Sequence, residues 1–116
     1  MTRKTLIIVR HPPHGSSWAR EGIEVVLVGG ALGVPVDVLF DGDGIFCLLQ
    51  GQEAGALGQK GTLPMLKAFP MYDIDTVLVS RPALEARGLK ADALAIDGDV
   101  VEPRDCLAHY HSILTF

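Results

Sequence analysis

Arg10 and His11 close the apolar run Leu6-Ile7-Ile8-Val9. A guanidinium beside an imidazole at the end of a strand is how histidine phosphatases present the histidine that takes up a phosphoryl group. The following residues argue against that chemistry. Pro12 and Pro13 come next, and proline has no N–H to offer a phosphate. The reaction also needs a second histidine and further arginines converging on the phosphate. The late histidines, His109 and His111, precede the last expected strand and belong toward its amino-terminal end. His14-Gly15-Ser16-Ser17 supplies part of a cradle for the phosphate of FMN, whose binding loops direct N–H groups from a helix N-terminus. No aromatic ring is placed to stack on a flavin, since Trp18 falls on the first helix and Tyr72 ahead of the third strand.

Sulfur is the other chemistry within reach. The chain has two cysteines, Cys47 and Cys106, and no CxxC pair. Cys47 follows Asp43 and Gly44, where a short helix is expected to begin, so it falls within about one turn of a helix N-terminus. There the dipole favours a thiolate. Its neighbours Ile45, Phe46, Leu48 and Leu49 favour the alternative, a small buried hydrophobe. Cys106, beside Leu107 and Ala108, reads as structural. Asp41 and Asp43 could ligate a hard metal, but two acids in a glycine-rich turn are more often turn formers. Arg20 and Glu24 are spaced as an i,i+4 ion pair on a helix face, solvated or at an interface. Trp18 is a core or interface residue.

These side chains must be held by a framework. The chain has 116 residues, 48% of them hydrophobic, enough for one domain with one core, taken as residues 1–116. Thr5–Arg10 is a continuous apolar run, expected of a strand covered on both faces. Ser16 or Ser17 can cap the next helix, on which Ile23, Val26, Leu27, Gly30 and Ala31 fall on one face. Gly22, Gly29 and Gly30 weaken that helix by about 1 kcal/mol each and suggest close approach to a sheet. Gly33 and Pro35 stop it. Val36–Phe40 is the second strand, Asp41–Gly44 a turn and Ile45–Gln50 a short helix. Gly51–Gly61 is a long polar loop with glycines at 51, 55, 58 and 61, a length usually tied to mobility or function. Thr62 caps a helix with Pro64 in its first turn. Asp75–Val79 is the third strand, Ser80 and Pro82 open a helix ending at Gly88, and Ala93–Ile96 is a fourth strand. Pro103–His109 is the last helix and Ser112–Phe116 the last strand. Such alternation predicts a three-layer α/β domain, with a five-stranded mostly parallel sheet and helices on both faces. Reactive groups then belong at the carboxyl ends of the strands, at turns 10–16, 41–45, 80–82 and 97–103.

The net charge of −4 opposes direct nucleic-acid binding, which needs a basic face. No apolar stretch approaches the roughly 20 residues of a membrane span. The run Leu6–Val9 is too short for a signal-peptide core, so a cytoplasmic location is expected.

Against this framework a family resemblance emerges. Pro13-His14-Gly15-Ser16, then Arg20-Glu21-Gly22, resembles the TusC/DsrF branch of the DsrE-like sulfur-relay proteins. Asp43-Gly44-Ile45-Phe46, Leu48-Leu49 and Gly51-Gln52 resemble that family's "DGVxxLLxGQ" stretch. Leu66 through Tyr72-Asp73-Ile74 resembles its "LYDI" segment, Leu84 to Arg87-Gly88-Leu89 its "LxxRGL", and Ile113–Phe116 its "ILxF" ending. The pieces span nearly the whole chain in order. The resemblance implies a flavodoxin-like parallel fold. It further implies a heterohexamer with TusB- and TusD-like subunits, passing persulfide sulfur from a TusA-like donor toward a TusE-like carrier for 2-thiouridine at the tRNA wobble position. In the DsrF version the same assembly serves sulfur oxidation. No resident cofactor or metal is implied.

The resemblance also locates the chemistry. In TusD- and DsrE-like subunits the acceptor cysteine follows the third strand, eight residues before an Arg-Gly glycine. That position is Ser80 here, and serine forms no persulfide. A supporting subunit is therefore expected, with Cys47 the remaining sulfur-carrier candidate. His14, Gly15, Ser16, Arg20, Glu21, Asp43, Gly44, Gln52, Tyr72 and Asp73 are the motif and candidate interface residues. His11 and His14 could donate protons near a partner's persulfide, or shape the turn and meet a neighbouring subunit.

Overall fold

The computed structural model describes residues 3–49 and 62–116. Five strands form one sheet: β1 (Thr5–Val9), β2 (Val36–Phe40), β3 (Val77–Ser80), β4 (Asp99–Val101) and β5 (Ser112–Thr115), in the order β4-β3-β2-β1-β5. Every pairing between them is parallel, with Ile7 opposite both Val38 and Leu114. The layered parallel architecture is the one expected. The strand order differs from the 2-1-3-4-5 order of flavodoxin, because here β1 lies between β2 and β5. The helices are α1 (Trp18–Ala31), α2 (Leu63–Lys67), α3 (Arg81–Ala86) and α4 (Pro103–Cys106).

The pleat explains the two cores. Alternate residues point to opposite faces. Ile7, Val9, Val38, Phe40, Val77 and Val79 face a large core with Ile23 and Val26 of α1, Phe69, and Ala83 and Leu84 of α3. Leu6, Leu39 and Leu78 face the other way, under Cys106, Leu107 and Tyr110. The first three crossovers run in one direction along the sheet, so right-handed connections place their helices on one face. The fourth runs back from β4 at one edge to β5 at the other. It carries α4 and the 3₁₀ turn Leu107–His109 across the opposite face.

Close approach of α1 to its neighbours is real. A Cβ on Gly30 would sit 2.6 Å from the Tyr72 carbonyl oxygen, and one on Gly22 2.9 Å from Phe116 Cβ. The helix ends at Ala31, and two residues on, Gly33 turns the chain away with a φ of +73° that favours glycine.

Several local expectations need correction. Ser17 holds the N-cap position of α1, but its hydroxyl donates to Glu21 Oε1 at 3.2 Å instead of accepting a backbone N–H. Ala31 is exposed, so the buried stripe is Ala19, Gly22, Ile23 and Val26. The helix expected over Ile45–Gln50 does not start at Ile45, and Gln50 lies outside the described residues. A 3₁₀ helix already begins at Gly42 and runs to Leu48. Thr62 precedes α2 without a side-chain cap bond. The third strand is Val77–Ser80. The fourth is Asp99–Val101, not 93–96. Ala91–Ala93 is a 3₁₀ turn, and Leu94 leads out of it into a single antiparallel bridge with Leu49. The last helix breaks after Cys106 into 3₁₀ geometry. The loop expected at Gly51–Gly61 lies outside the described residues.

Candidate functional site

The carboxyl ends of the strands gather most of the motif residues. β1 delivers the turn holding His11, His14, Gly15 and Ser16, and α1 begins behind it with Arg20 and Glu21. β2 delivers Asp41, Gly42, Asp43 and Gly44. A Cβ on Gly44 would land on the Val9 carbonyl oxygen, so only glycine lets this turn pack onto the end of β1. β3 delivers Ser80. Tyr72 and Asp73 lie at the opposite edge, ahead of β3, where Asp73 takes a left-handed conformation with φ +60°. Gln52 lies outside the described residues.

Ser80 is fully buried, and its side chain caps α3. Oγ accepts a hydrogen bond from the Ala83 N–H at 3.2 Å, and such caps contribute about 1 kcal/mol. The hydroxyl is thus committed to structure.

Cys47 is the sixth residue of the seven-residue 3₁₀ helix. The dipole argument for a thiolate therefore inverts, because the C-terminal end of a helix disfavours negative charge. The side chain is 0% exposed and its thiol donates to the His11 carbonyl oxygen at 3.7 Å. Burial pushes the thiol pKa up to about 11, offset only in part by the Thr62 hydroxyl and the residue's own backbone. Thr62 Oγ1 is itself buried without a full hydrogen bond among the described residues. Cys106 donates to the Pro103 carbonyl oxygen at 3.2 Å, and burial raises its pKa as well. A thiol that stays protonated is a poor nucleophile.

Asp43 is joined to α3. Arg87 Nη2 donates to Asp43 Oδ1 at 2.8 Å and Nε to the same oxygen at 3.2 Å. The Arg87 guanidinium also lies 5.8 Å from the Phe46 ring centroid. This clamp between the turn after β2 and the C-terminal end of α3 was missed from the sequence as a site. Its only trace was the presence of both residues in motif segments 44 positions apart. Asp41 and Asp43 assemble no metal site: among the described residues no three His, Cys, Asp or Glu side chains converge as ligands. The His11 and Trp18 rings stack at 5.6 Å beside the first turn. Arg20 and Glu24 form their ion pair at 3.4 Å, on the solvated side of α1.

The description "DsrE/DsrF-like family" belongs to a family model that matches residues 3–116. The chain belongs to the DsrE/DsrF-like family. Within it, the chain is 38% identical over 118 residues to a protein named TusC homolog from Pseudomonas aeruginosa, covering 99% of both chains. It is 40% identical over 94 residues to a TusC homolog from Vibrio parahaemolyticus, covering 81% of this chain and 80% of that one. It is also 37% identical over 94 residues to the intracellular sulfur oxidation protein DsrF from Allochromatium vinosum, covering 81% of this chain and 69% of that one. The crystal structure of the E. coli ychN protein has the same fold, with a TM-score of 0.81 at 18% identity over 99% of this chain and 100% of that one. No helix among the described residues is long and apolar enough to cross a membrane.

Proposed function

We propose that this chain is a TusC/DsrF-like subunit of a sulfur-relay complex that acts by assembly and not through a thiol of its own. Its partners are TusB- and TusD-like subunits in a heterohexamer. The relay moves one sulfur atom at each step: an acceptor thiolate attacks the terminal sulfur of a donor persulfide, a new S–S bond forms, the old one breaks, and the donor leaves as a thiolate. The observation that carries the reading is Ser80, a buried helix cap at the position where the resemblance puts a sister subunit's acceptor cysteine. The buried, protonated Cys47 supports it. Sulfur is passed on by the sister subunit, and this chain shapes the complex around it.

The product assigned is wobble 2-thiouridine in tRNA, in keeping with relatives named TusC homolog. The identity to DsrF supports a second reading, service in sulfur oxidation. Deletion in the native host separates them: loss of 2-thiouridine from bulk tRNA supports the first, and intact 2-thiouridine with impaired sulfur oxidation supports the second. The subunit reading is tested by affinity purification of the tagged chain from its host, with masses of the complex and of each subunit. Two co-purifying partners of similar size, one bearing an extra sulfur while this chain does not, are expected. A lone chain with a sulfur adduct on Cys47 would overturn the reading.

A further inference from the structure

Among the described residues, one face of α1 is left largely uncovered, with only the His11 ring stacked on Trp18 at its first turn. Trp18 is 50% exposed, Val25 37%, Val28 57% and Leu32, just past the helix end, 73%. They make up four of the nine large hydrophobic residues exposed among the described residues. Single exposed apolar residues are ordinary, but a contiguous set marks an interaction surface. At 3.6 residues per turn this set lies about a third of a turn round the helix from Ala19, Gly22, Ile23 and Val26, which face the sheet. Trp18, Val25 and Leu32 are spaced by seven, with Val28 between them. That is the a/d spacing of one helix packed along another. The seam runs nearly parallel to the axis of a 14-residue helix about 21 Å long. A partner helix crossing at about 20° touches all four side chains.

Charge narrows the occupant. The seam holds one charged residue, Glu21, whose carboxylate accepts from Ser17 Oγ at 3.2 Å. Arg20 and Glu24 are paired with each other beside it. The face is otherwise neutral and apolar. A second copy packed in parallel would set Glu21 against Glu21, and one packed antiparallel about Val25 would bury Glu21 near Gly29 with no cation opposite. Either arrangement is costly.

We propose that this seam of α1 docks an amphipathic helix of a different subunit, one with an apolar stripe and a basic residue placed to meet Glu21. The proposal rests on the relay-subunit reading. Its test is co-expression of the full chain with its TusB- and TusD-like partners, followed by native mass determination. Val28→Glu and Leu32→Glu are expected to reduce partner recovery at least tenfold, while Met71→Glu, at another exposed apolar site, leaves recovery unchanged. Far-UV circular dichroism checks that each variant folds. Should the charged variants unfold, a photo-cross-linking amino acid at Val28 gives the answer directly, with cross-links expected in a helix of a partner subunit. Full recovery of partners with both charged variants folded, or cross-links confined to a second copy or to a non-helical segment, would overturn the docking face and leave the relay reading standing. A wild-type chain that recovers no partner would overturn the relay reading, and the docking proposal with it.

Discussion

The Tyr110 hydroxyl donates a 2.6 Å hydrogen bond to Asp37 Oδ2, fastening the returning crossover to the middle of the sheet. Asp37 is a buried carboxylate on β2, and Lys4 Nζ reaches the same oxygen at 3.5 Å. Tyr110→Phe removes the shorter bond and leaves the charge with one longer contact. The expected cost is about 2 kcal/mol, read as a lower urea midpoint with an unchanged slope. A midpoint within error of wild type would remove the fastening role.

Alkali should loosen the fold through groups held protonated. Burial and Asp37 raise the Tyr110 pKa above its ordinary value. Burial raises the Cys47 thiol from 9.0 to about 11. In both cases the folded pKa exceeds the unfolded one, so the unfolded chain releases its proton first as pH rises. For Cys47 the stabilisation is complete below pH 9 and is lost as pH climbs toward 11, by about 2 kcal/mol. Urea titrations from pH 8 to 11 should show this decline, and Cys47→Ala should make it shallower, leaving the part due to Tyr110 above pH 10.

The two thiols should differ in access. Cys47 is fully buried, whereas Cys106 is partly exposed. A thiol reagent at neutral pH should modify Cys106 in the native protein and Cys47 only after denaturant is added, which peptide mass mapping can read. Native labelling of Cys47 at a rate matching Cys106 would contradict the packing around it.

Ser80→Cys asks whether residue type alone separates this chain from a sulfur-carrying sister. The Ser80 side chain is fully buried and spent on the Ala83 N–H. The variant should lose about 1 kcal/mol with the weakened cap, and the new thiol should resist labelling in the native state. Ready labelling would mean that the site is open enough for relay chemistry.

Much of the framework was legible because strong local signals agreed with the tertiary environment. The apolar runs at β1 and β2 are buried central strands, and Gly33 stops α1 as its position suggested. β4 was illegible for the opposite reason. It is a three-residue edge strand whose Asp99 is exposed, while Ala93–Ile96 looked like a strand because Leu94 is buried by packing near Leu49. At the site, Ser80 as a helix cap could be read from Ser-x-Pro spacing. The setting of Cys47 could not, since an Asp-Gly-Asp-Gly turn does not announce that a 3₁₀ helix has already begun at Gly42. The Arg87–Asp43 clamp and the Tyr110–Asp37 bond join residues 44 and 73 positions apart, beyond any local pattern.

The pairing of β1 with β5 joins Thr5 to Ser112. Almost the entire chain must therefore be collected before that ladder can close, and contacts between such distant residues form slowly. During synthesis β1 leaves the ribosome ahead of the other four strands, and its pairing with β5 waits longest. In that interval one side of β1 stands as an open edge, available to any other extended segment nearby. β5, the last of the five strands to emerge, is the one that closes it.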